Sequence, residues 1–157
     1  MIKLALALLL FVSFSLPSVA KDFSTTDFKV TLPESYRGYV KQIHKPTKKS
    51  TLVAFDNQFG QSSSLAIEAG KHWDIDQLIK NESKRIVRQK GSVKERECPN
   101  RCQIYYASSS QGSSSEHVLL VKTAELNFII KLITDDGIEK GKASVFKLAK
   151  QIYPAFS

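Results

Sequence analysis

Residues 116–134 read EHVLLVKTAELNFIIKLIT, two apolar runs at 118–121 and 128–133 joined by the polar link 122–127. Both runs are strand-length and rich in β-branched and aromatic residues, which predicts an antiparallel hairpin. Neither alternates cleanly between apolar and polar. Val118 and Leu120 point one way and Leu119 and Val121 the other, yet all four are apolar. Phe128, Ile130 and Leu132 share one face, and on the other Ile129 and Ile133 flank Lys131. A strand pair that is apolar on both faces needs cover on both.

The rest of the chain supplies candidates for that cover. After a polar lead at 21–27, residues 28–33 (FKVTLP) alternate with period two and end at a proline, as a short strand does. Residues 36–44 and 51–56 read as the next strands around a basic turn at 45–49, and 64–69 as a fourth that ends at Gly70. A first helix begins near Asp74, where Asp74 and Gln77 have the spacing of a capping box and Trp73 and Leu78 that of a hydrophobic staple. Ile75, Leu78, Ile79, Ile86 and Val87 form its apolar stripe, with Lys80, Lys84, Arg85 and Arg88 mainly outside it and Gly91 as its stop. The staple accounts for Trp73 without a ligand.

Residues 93–97 and 103–108 make a further hairpin, and the serine-rich stretch 108–115 (SSSQGSSS) reads as a flexible loop. A closing helix spans about 138–152, with Ile138, Val145, Leu148, Ala149 and Ile152 on one side and Pro154 after it. The expected fold is α+β: an antiparallel sheet sandwiched by two main α-helices in one domain, residues 21–157.

Residues 1–20 stand apart from this pattern. Lys3, the apolar run 4–14 and Ser18-Val19-Ala20 after Pro17 have the form of a secretory signal peptide, with cleavage expected at about Ala20/Lys21 and release to the periplasm or the exterior. The apolar run is shorter than the roughly 20 residues a membrane span needs. Removing this segment, whose one charged residue is Lys3, takes the formal net charge from +8 to +7. An oxidising destination favours a disulfide between Cys98 and Cys102, across a Pro-Asn turn at the hairpin tip. The C-x-x-x-C spacing on a turn points to a staple rather than to redox chemistry, which prefers C-x-x-C at a helix start.

FKVTLP followed by Tyr36, the middle helix, the strand NFIIKLIT and a last helix closing on IYPAF together resemble the PsbP-like fold family. That family, an α/β/α sandwich, includes an extrinsic photosystem II subunit, a Ran-binding import factor and DcrB-type bacterial envelope proteins. The resemblance covers nearly the whole chain after residue 20. It implies a binding or assembly role, with no shared catalytic residue to carry over. Two features depart from it: there is no lipobox cysteine, and the Cys98/Cys102 pair is not a family mark.

Charge bears on partners. Arg37, Lys41, Lys45, Lys48 and Lys49 form one basic cluster, and Lys80, Lys84, Arg85 and Arg88 begin a second. On one side of the molecule they would make a surface for a protein or a polyanionic envelope component. Aromatic residues are not interleaved as single-stranded nucleic-acid platforms require, so no specific nucleic acid is expected. His44, His72 and His117 lack paired zinc-ligand spacing, and neither a metal nor a cofactor is expected. No G-x-S-x-G elbow is present, and DGIEKGKA lacks the first glycine and the Ser/Thr of a phosphate loop.

The reading is therefore a non-catalytic binding or assembly factor. One alternative is an immunity or inhibitor protein against an acidic secreted partner. The other is a small basic nuclease, which would need two of the three histidines in one cleft.

Overall fold

The structure, a computed structural model, describes residues 21–32, 39–45, 49–56, 63–98 and 102–156. The expected leader, the tip between the two cysteines, and Arg37 and Lys48 lie outside the described residues. In chain order the elements are β1 (Lys21–Ser24), β2 (Lys29–Leu32), β3 (Tyr39–Lys45), β4 (Ser50–Asp56), β5 (Ser64–Gly70), α1 (Asp76–Arg88), β6 (Ser92–Cys98), β7 (Cys102–Gln111), β8 (Ser114–Lys122), β9 (Asn127–Thr134) and α2 (Ile138–Ile152).

Among the described residues β3 to β9 form a 7-stranded sheet in the order β3-β4-β5-β9-β8-β7-β6. Every neighbouring pair is antiparallel. The expected central hairpin is β8–β9, with Leu119 opposite Ile130 and Leu120 opposite Ile129. Its two-faced apolar pattern has a direct consequence. Val118, Leu120 and Ile129 join Ile79 and Ile86 of α1, with Trp73 and Ile75, in one buried cluster. Leu119, Val121, Phe128 and Ile130 join Val145, Leu148, Ala149 and Ile152 of α2 in another. Each buried Leu, Ile or Val contributes roughly 1.5–3 kcal/mol, so these clusters supply the main driving force for folding.

Several local expectations need correction. The polar lead itself contains a strand: Lys21–Ser24 pairs with Lys29–Leu32 as a separate ribbon. The turn is closed by Thr25, whose Oγ1 accepts from the backbone N–H of Asp27 and of Phe28. Gln151 of α2 ties the ribbon down by accepting from the Thr31 N–H at 2.6 Å. The capping box does not form. Asp74 Oδ1 accepts from the Asp76 N–H, while Gln77 donates to Asn81 along the helix.

At the other end of α1 it is Lys90, not Gly91, that takes the left-handed conformation (φ 59°). The Gly91 N–H reaches the Ile86 carbonyl and the Lys90 N–H that of Val87, which is a Schellman closure. Gly91 is required for a different reason: a Cβ there would stand 2.4 Å from the Ser108 carbonyl oxygen of β7. Val87 is 61% exposed rather than part of the stripe, and Glu82 is buried in its place.

The serine run is sheet, not loop. β7 continues to Gln111 and β8 resumes at Ser114, leaving a two-residue turn of Gly112 and Ser113. Gly112 has φ 63° and precedes Ser113, the glycine-first order of a type II′ hairpin turn. Ser108, Ser109 and Ser115 are buried, because small side chains let neighbouring layers pack close to the strands.

Candidate binding face

The four basic residues expected to share the α1 surface divide into two groups. Lys80, Lys84 and Arg88 are exposed, and among the described residues none of them has an ion-pair partner. With Gln77 and Asn81 they occupy the side of the helix turned away from the buried Ile79, Glu82 and Ile86. Asp76, the other acid of this helix, is paired with Lys122 of β8 at 2.6 Å. The outer face of α1 is therefore cationic without an internal counter-charge.

Arg85 is half-buried and turns to the sheet. Its guanidinium holds Glu116 of β8 through two hydrogen bonds of 2.8 and 2.5 Å and also donates to Glu82 through Nε at 2.9 Å. Lys131 of β9 donates to the second oxygen of Glu82. The Glu116 hydrogen bonds, then those to Glu82, outweigh burial and hold the Arg85 pKa above its ordinary range. Burial alone would raise the Glu82 carboxyl; the hydrogen bonds from Lys131 and Arg85 overcome it and hold the pKa low. This cluster closes the charge on the inner side of α1 and is spent on structure.

Of the β3–β4 cluster, Lys45 pairs with Glu68 at 3.3 Å. Lys49 is exposed and takes a left-handed φ of 53°. Lys41 falls on β3 by backbone position, and its side chain is outside the description. Lys49, Glu68, His72, Asp74, Gln77 and Asn81 line a cleft of about 510 Å³ beside the start of α1. Gln77 and Asn81 belong to the same helix row as Lys84 and Arg88, so this cleft brings Lys49 of the first cluster up to the second. Gly70 makes the approach possible: a Cβ there would lie 2.0 Å from the Lys49 carbonyl oxygen.

The histidines separate. His44 is placed on β3 by backbone alone. His72 is exposed and lines the cleft. His117 is 0% exposed. Its Nδ1 lies 2.8 Å from the Tyr106 hydroxyl and its Nε2 2.8 Å from Ser115 Oγ. Ser115 donates to the Thr134 carbonyl, so it accepts from His117 Nε2–H, and Nδ1 accepts from Tyr106. That arrangement is satisfied only by the neutral ring. Burial lowers the His117 pKa, and the nearby Glu116 charge only partly opposes it. Ser115 is buried too, so this Ser–His–Tyr chain has no exposed nucleophile.

Among the described residues no group of three or more His, Cys, Asp or Glu could hold a metal ion, and no helix is long and apolar enough to cross a membrane. Cys102 is disulfide-bonded and buried, and the register sets it opposite Cys98. Sequence reasoning missed Glu82, Glu116, Tyr106 and Gly141. The one available signal was a glycine inside the α2 pattern, which marks a close approach: a Cβ on Gly141 would stand 2.1 Å from His117 Nε2. Neither a known family nor any curated protein sequence matches this chain.

Proposed function

We propose that this chain is an exported, non-catalytic binding or assembly factor of the PsbP-like, α/β/α type, acting on an acidic protein surface or a polyanionic envelope component. The observation that carries this reading is the division of charge on α1. Arg85 and Lys131 are consumed by Glu82 and Glu116, whereas Lys80, Lys84 and Arg88 are left exposed and unpaired among the described residues. Cations held on a rigid helix face raise the local concentration of anionic partners and speed encounter. The distribution of α1 and α2 residues between two apolar clusters supports the three-layer arrangement. The internal use of both His117 ring nitrogens supports binding over acid–base chemistry.

The test is capture of partners from envelope extract by the disulfide-intact protein at low and at high salt, beside the Lys80→Ala/Lys84→Ala/Arg88→Ala variant. One stoichiometric partner that survives high salt and is lost with the variant supports the reading. Many anionic species, all released by salt, would reduce it to a basic surface. No capture, together with phosphodiester cleavage abolished by changing His72, would overturn it.

A further inference from the structure

A second concave site lies on the other side of the sheet, against α2. Tyr106 and Phe146 meet edge to face there, with ring centroids 5.6 Å apart at 64°. With Ile104 they line a cavity of about 350 Å³ whose remaining walls are Lys94, Glu95 and Lys142. This size and an apolar floor with few polar groups are typical of small-molecule sites. Tyr106 itself is committed, because its hydroxyl is turned to His117 at 2.8 Å. It therefore offers the cavity a ring rather than a hydroxyl.

Charge selects the occupant. Lys94 is the cross-strand partner of Tyr106, and Lys142 Nζ stands 5.9 Å from the Tyr106 ring centroid. Neither lysine has an ion-pair partner among the described residues. Among the described residues two carboxylates are near. Glu95 is hydrogen-bonded to Tyr105, whose side chain packs in the α1 cluster. Glu139 is exposed on the first turn of α2 and acts on Tyr106 through charge alone. Among the described residues the two ammonium groups are thus the polar groups available to a ligand at the rim.

We infer that this cavity is a binding site for a small aromatic carboxylate, with the ring packed against Phe146 beside the buried Tyr106 and the acid held by Lys94 and Lys142. The ring exchanges water for aromatic surface, and the acid gains two charge-assisted hydrogen bonds. No proton or group transfer is involved. The site is on the α2 side of the sheet, so its failure would leave the α1 reading untouched.

The experiment titrates 2-naphthoate and its uncharged analogue 2-naphthamide into the ¹⁵N-labelled protein, following amide shifts. Saturable shifts confined to β6, β7 and α2 are expected, with 2-naphthamide about tenfold weaker, as loss of charge-assisted hydrogen bonding implies. Lys94→Ala, at an exposed lysine, and Lys142→Ala, at a half-buried one, should each weaken 2-naphthoate several-fold, and Phe146→Leu should weaken both compounds alike. Equal affinity for acid and amide, shifts unchanged by Lys142→Ala, or no saturable shift with 2-naphthoate would each overturn the assignment.

Discussion

Arg85 of α1 and Glu116 of β8 form a two-point ion pair, with guanidinium-to-carboxylate bonds of 2.8 and 2.5 Å. It is the polar counterpart of the apolar contact between the same helix and sheet. Glu116 is buried and Arg85 about a third exposed, so removing Glu116 deletes two charge-assisted hydrogen bonds and leaves the guanidinium with Glu82 as its remaining carboxylate. Glu116→Ala should therefore cost about 2–3 kcal/mol, below the usual range for a fully buried pair. Replacing both residues by methionine should recover most of the loss. Urea denaturation of the two variants checks this, and equal losses would show that the pair itself is the stabilising element.

His117 makes stability depend on pH. Its folded-state pKa is depressed by burial, while the unfolded chain titrates near 6.5. Below pH 6.5 the unfolded state binds the proton first, so unfolding becomes easier as pH falls toward the folded pKa. The stabilisation is complete above pH 6.5 and is lost at up to about 1.4 kcal/mol per pH unit. Thermal melts between pH 5 and 8 should show this slope in the wild-type protein. It should flatten in His117→Gln.

Gly141 and His117 should be energetically coupled, since a Cβ on residue 141 would overlap the imidazole. Gly141→Ala alone is expected to cost about 1–3 kcal/mol through overpacking, despite the better helix propensity of alanine. In a His117→Ala background the same change should cost little or become favourable. A double-mutant cycle on Tm measures the difference, and simple additivity would refute the contact.

Ser109 Oγ is buried and, among the described residues, has no hydrogen-bond partner. Ser109→Ala removes an unsatisfied polar atom and leaves almost the same shape, so it should stabilise by about 1 kcal/mol. A neighbouring change, Ser115→Ala, deletes the acceptor for His117 Nε2–H and should destabilise by a similar amount. The opposite signs in parallel urea titrations separate packing from hydrogen bonding in one serine-rich strand pair.

Val87 and Ile86 give a further contrast. Ile86 is 0% exposed and Val87 61% exposed. Ile86→Ala should cost about 2–5 kcal/mol and Val87→Ala within about 0.5 kcal/mol. Chemical denaturation of both variants tests which residue α1 buries.

Long apolar runs and turn residues act locally, which is why the sequence by itself determined the β8–β9 hairpin, the bounds of α2 and the need for cover on both faces of the central strands. The sense of the α1 stripe was legible too, except where a charged residue could be buried by pairing. Glu82 takes an inward position because Arg85, one turn on in the same helix, and Lys131, 49 residues away on β9, neutralise it. No local pattern announces that. The serine run misled for a similar reason: composition suggests a loop, but small side chains suit a strand when the layers above it lie close. Tertiary structure alone decided that Arg85 serves the interior while Lys80, Lys84 and Arg88 face outward, that Lys49 shares a cleft with α1, and that His117 is closed off beneath Gly141. Each of these depends on the long-range register of strands and the docking of helices, and a charge or an imidazole acquires its role only from the neighbours that register brings.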